Sequence, residues 1–309
     1  MYTSKILPNI FLCIVASAIL LAACATSAIA RPRPGADLLL DTYHRIQMRL
    51  ETNSPGLPLF VESVEHNDKV HVDVYGIFDY HFSSVVNVLK IPENWCAIVS
   101  LHPNVKACTY QELTGTTHLN MYLGSKGYQA PEDARQVTSS FRIVEQQPAY
   151  LDIILDAKEG PFGTRDHRMK FEALPLAGGK TFVHVSYTYH DSAALRLASK
   201  IYFATLGRNK VGFTVTATDS DGNPVYIGGP RGAVERSAVR YYLAIQSFMN
   251  TLHHPAARRF SVRISEWHDL TTRYRRQLGD MDKQDYLTVK TREHTNQEML
   301  QRLIGSGPQ

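Results

Sequence analysis

Residues 165–190 read RDHRMKFEALPLAGGKTFVHVSYTYH. Two alternating runs, Arg165–Leu174 and Thr181–His190, flank the turn cluster Ala177-Gly178-Gly179-Lys180. Alternation with a period of two is the signature of a half-buried strand, and a short glycine-rich connection makes the two strands antiparallel neighbours. On the first run Arg165, His167, Met169, Phe171 and Ala173 share a face; on the second Val183, Val185, Tyr187 and Tyr189 do. Phe171 and Val185 read as core. Toward the N-terminus, Leu119–Leu123, Val137–Gln146 and Ala149–Ala157 repeat the pattern, with Lys158-Glu159-Gly160-Pro161 as a turn. Residues 117–190 therefore predict an antiparallel meander.

Beyond the meander the period returns to that of a helix. Ser192–Leu206 reads as a helix and Val211–Thr218 as a strand, with a turn at Asp219-Ser220-Asp221-Gly222-Asn223. Gly228-Gly229-Pro230-Arg231-Gly232 then opens a long helix to Leu252. Val234, Ala238, Tyr241, Ile245, Phe248 and Leu252 form its apolar stripe, widened by Tyr242 and Met249, with Arg236 and Arg240 on the other side. His253-His254-Pro255 ends it. Two more polar helices, Ser265–Leu278 and Asp282–Leu303, follow as a cover or an arm. Upstream, a helix is expected over Ala36–Glu51, ended by Asn53-Ser54-Pro55-Gly56. A strand follows over Val70–Phe78, then a short helix over Phe82–Leu89 that breaks at Ile91-Pro92-Glu93-Asn94-Trp95.

Of 309 residues, 44% are hydrophobic and 20% charged, which excludes wholesale disorder and a multi-span membrane protein. Residues 1–30 have the pattern of an export signal: Lys5, an apolar run from Ile10 to Ala23, then small residues. Three outcomes are open. Cleavage after Ala28-Ile29-Ala30 gives a soluble mature protein; Leu21-Ala22-Ala23-Cys24 resembles a lipobox and would lipidate Cys24; an uncleaved segment would serve as an anchor. Each places the globular part in an oxidising compartment, the periplasm or the outer-membrane surface. There Cys96 and Cys108 are expected to pair, closing a loop that contributes about 3 kcal/mol in the chain-entropy model. The net charge of +4 does not belong to the main domain. Residues 255–309 hold ten Lys+Arg and seven Asp+Glu, Lys5 is the single charge of the first thirty residues, and 31–254 is neutral. Export and a neutral domain disfavour nucleic acid as a partner.

The order of elements resembles the START-like helix-grip family of lipid-transfer domains and polyketide cyclases. The resemblance rests on Val85-Val86-Asn87-Val88-Leu89-Lys90-Ile91-Pro92-Glu93-Asn94-Trp95 continuing to Leu101-His102-Pro103-Asn104-Val105-Lys106, and on Gly163-Thr164-Arg165 and Lys180-Thr181 each leading into a strand before the final helix. It spans residues 58–254. It implies an α+β helix-grip fold, a curved antiparallel sheet wrapped on a long C-terminal helix, preceded by a helix and linker (31–57) and followed by a helical extension (255–309). Two departures stand out: the segment 193–229 is longer than a minimal member carries, and the tail after Pro255 is unexplained.

The resemblance also implies a cavity between sheet and helix for a hydrophobic, lipid-like molecule. The expected lining is Arg165, His167, Met169, Tyr187, Tyr189, with Tyr241, Ile245 and Phe248 from the helix. Arg165 and His167 would form its polar end, able to hold a carboxylate or phosphate. No G-x-S-x-G, P-loop, dinucleotide fingerprint or zinc spacing is present, so no catalytic residue, cofactor or metal is assigned. His167 and His184 could approach across neighbouring strands, but alternation puts them on opposite faces. Two rival readings remain: a cyclase- or hydrolase-type enzyme using His167, Arg165 or Asp166, and a non-catalytic envelope module docking through its tail. The cluster Arg273-Tyr274-Arg275-Arg276, or a lipidated Cys24, could touch a membrane surface.

Overall fold

The meander is the centre of an eight-stranded antiparallel sheet in the computed structural model, which describes residues 34–51, 58–205 and 207–305. The segment read as an export signal, with Cys13 and Cys24, and the turn expected at 53–56 lie outside the described residues. The strands are β1 (Leu59–His66), β2 (Lys69–Phe78), β3 (Val105–Leu113), β4 (Thr116–Leu123), β5 (Arg135–Gln147), β6 (Tyr150–Glu159), β7 (Arg165–Leu176) and β8 (Lys180–His190). Their order is β1-β2-β8-β7-β6-β5-β4-β3. The chain crosses from β2 to the far edge through two short helices, α2 (Phe82–Leu89) and α3 (Pro92–Val99), and then returns strand by strand until β8 pairs with β2. The sheet is curved and does not close.

Helix α1 (Pro34–Glu51) precedes the sheet. Within the compact unit Leu38–Gln309, its Tyr43 meets Phe182 on the outer face, with ring centroids 5.0 Å apart. The inner face is gripped by the long helix, which with its neighbours makes up α4 (Ala193–Ala204), α5 (Gly229–Asn250), α6 (Ala256–Thr272), α7 (Arg275–Leu278) and α8 (Lys283–Gly305). Inward residues of the strands, among them Val72, Val74, Phe171, Val183 and Val185, form one core with Ala238, Val239, Leu243 and Ile245 of α5. Gly76 lets the helix come this close, since a Cβ there would collide with the Tyr242 hydroxyl. This is the helix-grip arrangement. Cys96 of α3 and Cys108 of β3 are joined by a disulfide, Cα to Cα 5.0 Å.

Several local expectations change. Ile91–Trp95 is not a break but the entry to α3, because Pro92 occupies the first helical turn, where a missing N–H costs no bond. The strand expected over 211–218 shrinks to β9 (Val215–Thr218), paired with β10 (Pro224–Tyr226). Its first half is held otherwise: the Glu235 carboxylate accepts from the backbone N–H of Phe213 (2.6 Å) and Thr214 (2.9 Å). The glycine-rich entry to α5 is a close approach, since a Cβ at Gly232 would collide with the Ile227 carbonyl, and Arg231 is committed to Ser63, donating to its carbonyl at 2.7 Å. Arg236 and Arg240 are buried, not solvated, because the tail covers that side of α5. Arg240 pairs with Asp280, and Trp267 of α6 donates to the Arg240 carbonyl at 3.2 Å.

The tail is thus part of the core. Trp267, Leu270 and Tyr286 are buried in it. Helix α8 lies along β3 and takes up its edge hydrogen bonds: Gln297 accepts from the N–H of Cys108 (2.8 Å), and Gln301 both accepts from and donates to the Tyr110 backbone. A sheet edge covered in this way cannot recruit another strand.

Candidate functional site

Between the inner face of β4–β8 and the first turns of α5 the packing leaves a cavity of about 510 Å³, within the range of small-molecule pockets. The strands supply Met121, Val137, Leu155, Met169, Tyr187 and Tyr189; α5 supplies Val234, Ser237 and Tyr241. Its cover is the departure noted in the sequence. Leu195, Ala198, Ser199, Tyr202 and Phe203 of α4, with Phe162 of the β6–β7 turn, face the same space. Ser192 N-caps α4, accepting from Leu195 N–H at 3.0 Å, and its hydroxyl donates to the Phe162 carbonyl at 2.6 Å, tying the cover to the turn.

Of the eight expected lining residues, five meet here: His167, Met169, Tyr187, Tyr189 and Tyr241. Three lie elsewhere. Arg165 turns out to solvent and pairs with Asp68 at 2.9 Å, because the register between β7 and β8 shifts between Arg165 and Arg168 and Asp166 adopts φ 53°. The bulge resets the alternation that would have aimed Arg165 inward. Ile245 and Phe248 stand on the same stripe but about one and two turns beyond Tyr241 along α5, in the core; Phe248 packs under the Arg263 guanidinium at 3.8 Å.

The polar groups of the cavity form two neutral stations. At one, the Thr164 hydroxyl donates to the Pro161 carbonyl (2.7 Å), so toward His167 Nε2 (2.7 Å) it acts as acceptor. The His167 proton therefore sits on Nε2, and Nδ1 accepts from the Tyr187 hydroxyl at 2.7 Å. Burial lowers the His167 pKa to about 4, against a small opposing pull from Asp166, so the ring is neutral at pH 7. Gly160 is required beneath it, since a Cβ there would collide with the imidazole. At the other station His102 Nδ1 accepts from Asn104 N–H (3.1 Å), leaving Nε2 to donate to Ser237 Oγ at 3.3 Å. Burial, reinforced by the Arg240 charge, holds His102 well below its ordinary pKa. Asp191 also borders the cavity, and its carboxyl is raised by burial and by Glu65. Among the described residues no Lys or Arg lines the space.

His102, Ser237 and the α4 lining are absent from the sequence expectation. His102 falls inside the stretch that carries the family resemblance, yet a single histidine in a loop has no spacing that marks it. His184 lies on the outer face between Asp73 and Glu172, away from His167. Among the described residues no group of three or more His, Cys, Asp or Glu side chains is placed to hold a metal ion.

The strand order and the gripped helix are those of a helix-grip fold. No family model matches the chain, and no curated protein does. Among solved structures, human StAR-related lipid transfer protein 5 matches at 12% identity and TM-score 0.36, over 71% of this chain and 98% of its own. A StAR-related lipid transfer protein fragment from Xanthomonas axonopodis matches at 15% identity and TM-score 0.37, over 64% and 96%. A point mutant of norcoclaurine synthase from Thalictrum flavum matches at 13% identity and TM-score 0.33, over 47% and 85%.

Proposed function

We propose that this is an exported carrier that binds an uncharged, largely apolar, lipid-like molecule between the sheet and α5. The observation that carries the reading is the lining: a cavity of about 510 Å³ walled by aliphatic and aromatic side chains, with no cation and with both histidines neutral. The expected carboxylate or phosphate subsite loses its basis once Arg165 faces solvent. An anionic head group would meet Asp191 instead of a guanidinium. Export rests on residues 1–30 and on the disulfide, which persists in an oxidising compartment. The enzyme alternative is weakened by the bonding of His167, whose two ring nitrogens are engaged by Tyr187 and Thr164.

The test is displacement of a fluorescent apolar probe by a series of straight-chain alcohols. Each buried CH₂ contributes about 0.8 kcal/mol, so affinity should rise about fourfold per carbon until the cavity is full. The carboxylic acid of the same length should bind at least tenfold more weakly at pH 7. A flat series, or a preference for the acid, would contradict the reading.

A further inference from the structure

Helix α4 has a second apolar face that the cavity does not use. Leu195, Ala198, Ser199 and Tyr202 line the space beneath it, whereas Ala194, Leu197, Ile201 and Ala204, spaced three and four apart, are exposed. Leu197 is 63% and Ile201 60% exposed, and Phe162, at the rim of the same cavity, is 74% exposed. Not one residue of α4 is fully buried. Large apolar side chains grouped on a surface mark an interaction site more often than chance. The charge along the helix and the residues just after it has one sign: residues 193–210 contain Arg196, Lys200, Arg208 and Lys210 and no Asp or Glu. Lys210 lies 3.7 Å from Asp280; Arg196, Lys200 and Arg208 are exposed. A helix with exposed leucine and isoleucine beside arginine and lysine suits the interface of an anionic bilayer.

We propose that α4 and the Phe162 turn form a lid that docks on an anionic membrane surface, inserting Leu197, Ile201 and Phe162. The lid then stands between cavity and bilayer, and its displacement would open the cavity toward the lipid phase. Docking itself goes beyond the carrier reading and does not depend on it. It is also distinct from any attachment through Cys24 or the Arg273–Arg276 cluster, so the test needs a local reporter.

That reporter is Leu197→Trp in the full chain. Trp95 and Trp267 are 0% and 3% exposed, so a lipid-borne quencher leaves them unaffected. With vesicles of equimolar phosphatidylglycerol and brominated phosphatidylcholine, the new tryptophan should shift to the blue and lose at least half its emission. Adding Lys200→Glu and Arg208→Glu should raise the vesicle concentration needed at least tenfold. A tryptophan that stays red and unquenched while the protein co-sediments with vesicles would overturn the proposal. So would emission that follows the protein's own concentration, which would assign the stripe to a second copy. Probe binding in the same variant separates the two readings: docking without probe uptake contradicts the carrier, and probe uptake without docking contradicts the lid.

Discussion

Replacing Glu293 by Leu is expected to destabilise the protein by about 3–5 kcal/mol, the cost of breaking a buried ion pair from one side. Glu293 lies between two buried ammonium groups, accepting from Lys106 at 2.8 Å and from Lys290 at 2.7 Å. Each lysine is otherwise satisfied by carbonyls: Lys106 donates to Pro103 and Gly127, Lys290 to His102 and Val105. Burial lowers Lys290 to about 8 even with Glu293 in place. Without the carboxylate, two cations remain in a site that cannot hydrate them. The loss reaches the cavity, because this network fixes the passage His102–Lys106 and thus His102 itself. Urea denaturation at pH 7 measures the change. The triple variant Lys106→Met, Lys290→Met, Glu293→Leu should recover much of it, since a well-packed apolar replacement of a buried charge cluster is often neutral. If Glu293→Leu alone unfolds at the wild-type urea concentration, α8 is not held through this cluster.

His184→Leu is the second large effect, also about 3–5 kcal/mol, for the mirror reason that it strands two carboxylates. On the outer face the imidazole lies between Glu172, 2.8 Å from Nδ1, and Asp73, 2.7 Å from Nε2, with Tyr75 stacked on it at 4.4 Å. Both nitrogens face acceptors, so both carry protons. Burial opposes the charge of His184, but the two carboxylates outweigh it and raise its pKa. Burial likewise opposes the Glu172 carboxylate, yet His184, Lys170 and Tyr150 hold it at about 2. The signs follow by linkage. The Glu172 contribution is complete above its unfolded value of 4.5 and is lost as pH falls through 2. The His184 contribution is complete below 6.5 and is lost as pH rises through its raised folded value. Stability from this cluster therefore peaks between pH 4.5 and 6.5. Urea midpoints across that range should show the maximum in the wild type and lose it in His184→Leu.

What the sequence made legible follows from where periodicity is clean. The strands β5–β8 are covered by a core on one face, so Met169, Tyr187 and Tyr189 declared their direction by alternation alone. Arg165 did not, because the bulge at Arg165–Arg168 breaks the count one step before the strand ends. On α5 the stripe was visible from Val234 to Leu252, but a stripe cannot say where along its length the cavity stops. Ile245 and Phe248 therefore read as lining and are core. Strand β3 escaped notice because it is covered on both sides, by α3 and α8, and carries Lys106 buried against a residue almost two hundred positions away. Only the tertiary partner explains a lysine there. The pattern of residues 1–30 is what the proposed export rests on, and the pairing of Cys96 with Cys108 was legible only through that expectation.

The most direct measurement is native mass spectrometry of the full chain released gently from its host, set beside a variant whose cavity is filled. Ala157 lies on β6, buried at the cavity wall and directly opposite His167 on β7, so Ala157→Phe fills the space beside that station. The wild type should carry one non-covalently bound apolar molecule that bears no charge of its own, and the variant none. A wild type that is empty under every gentle release, or a variant that carries the same molecule, would contradict the assignment of this cavity as the binding site.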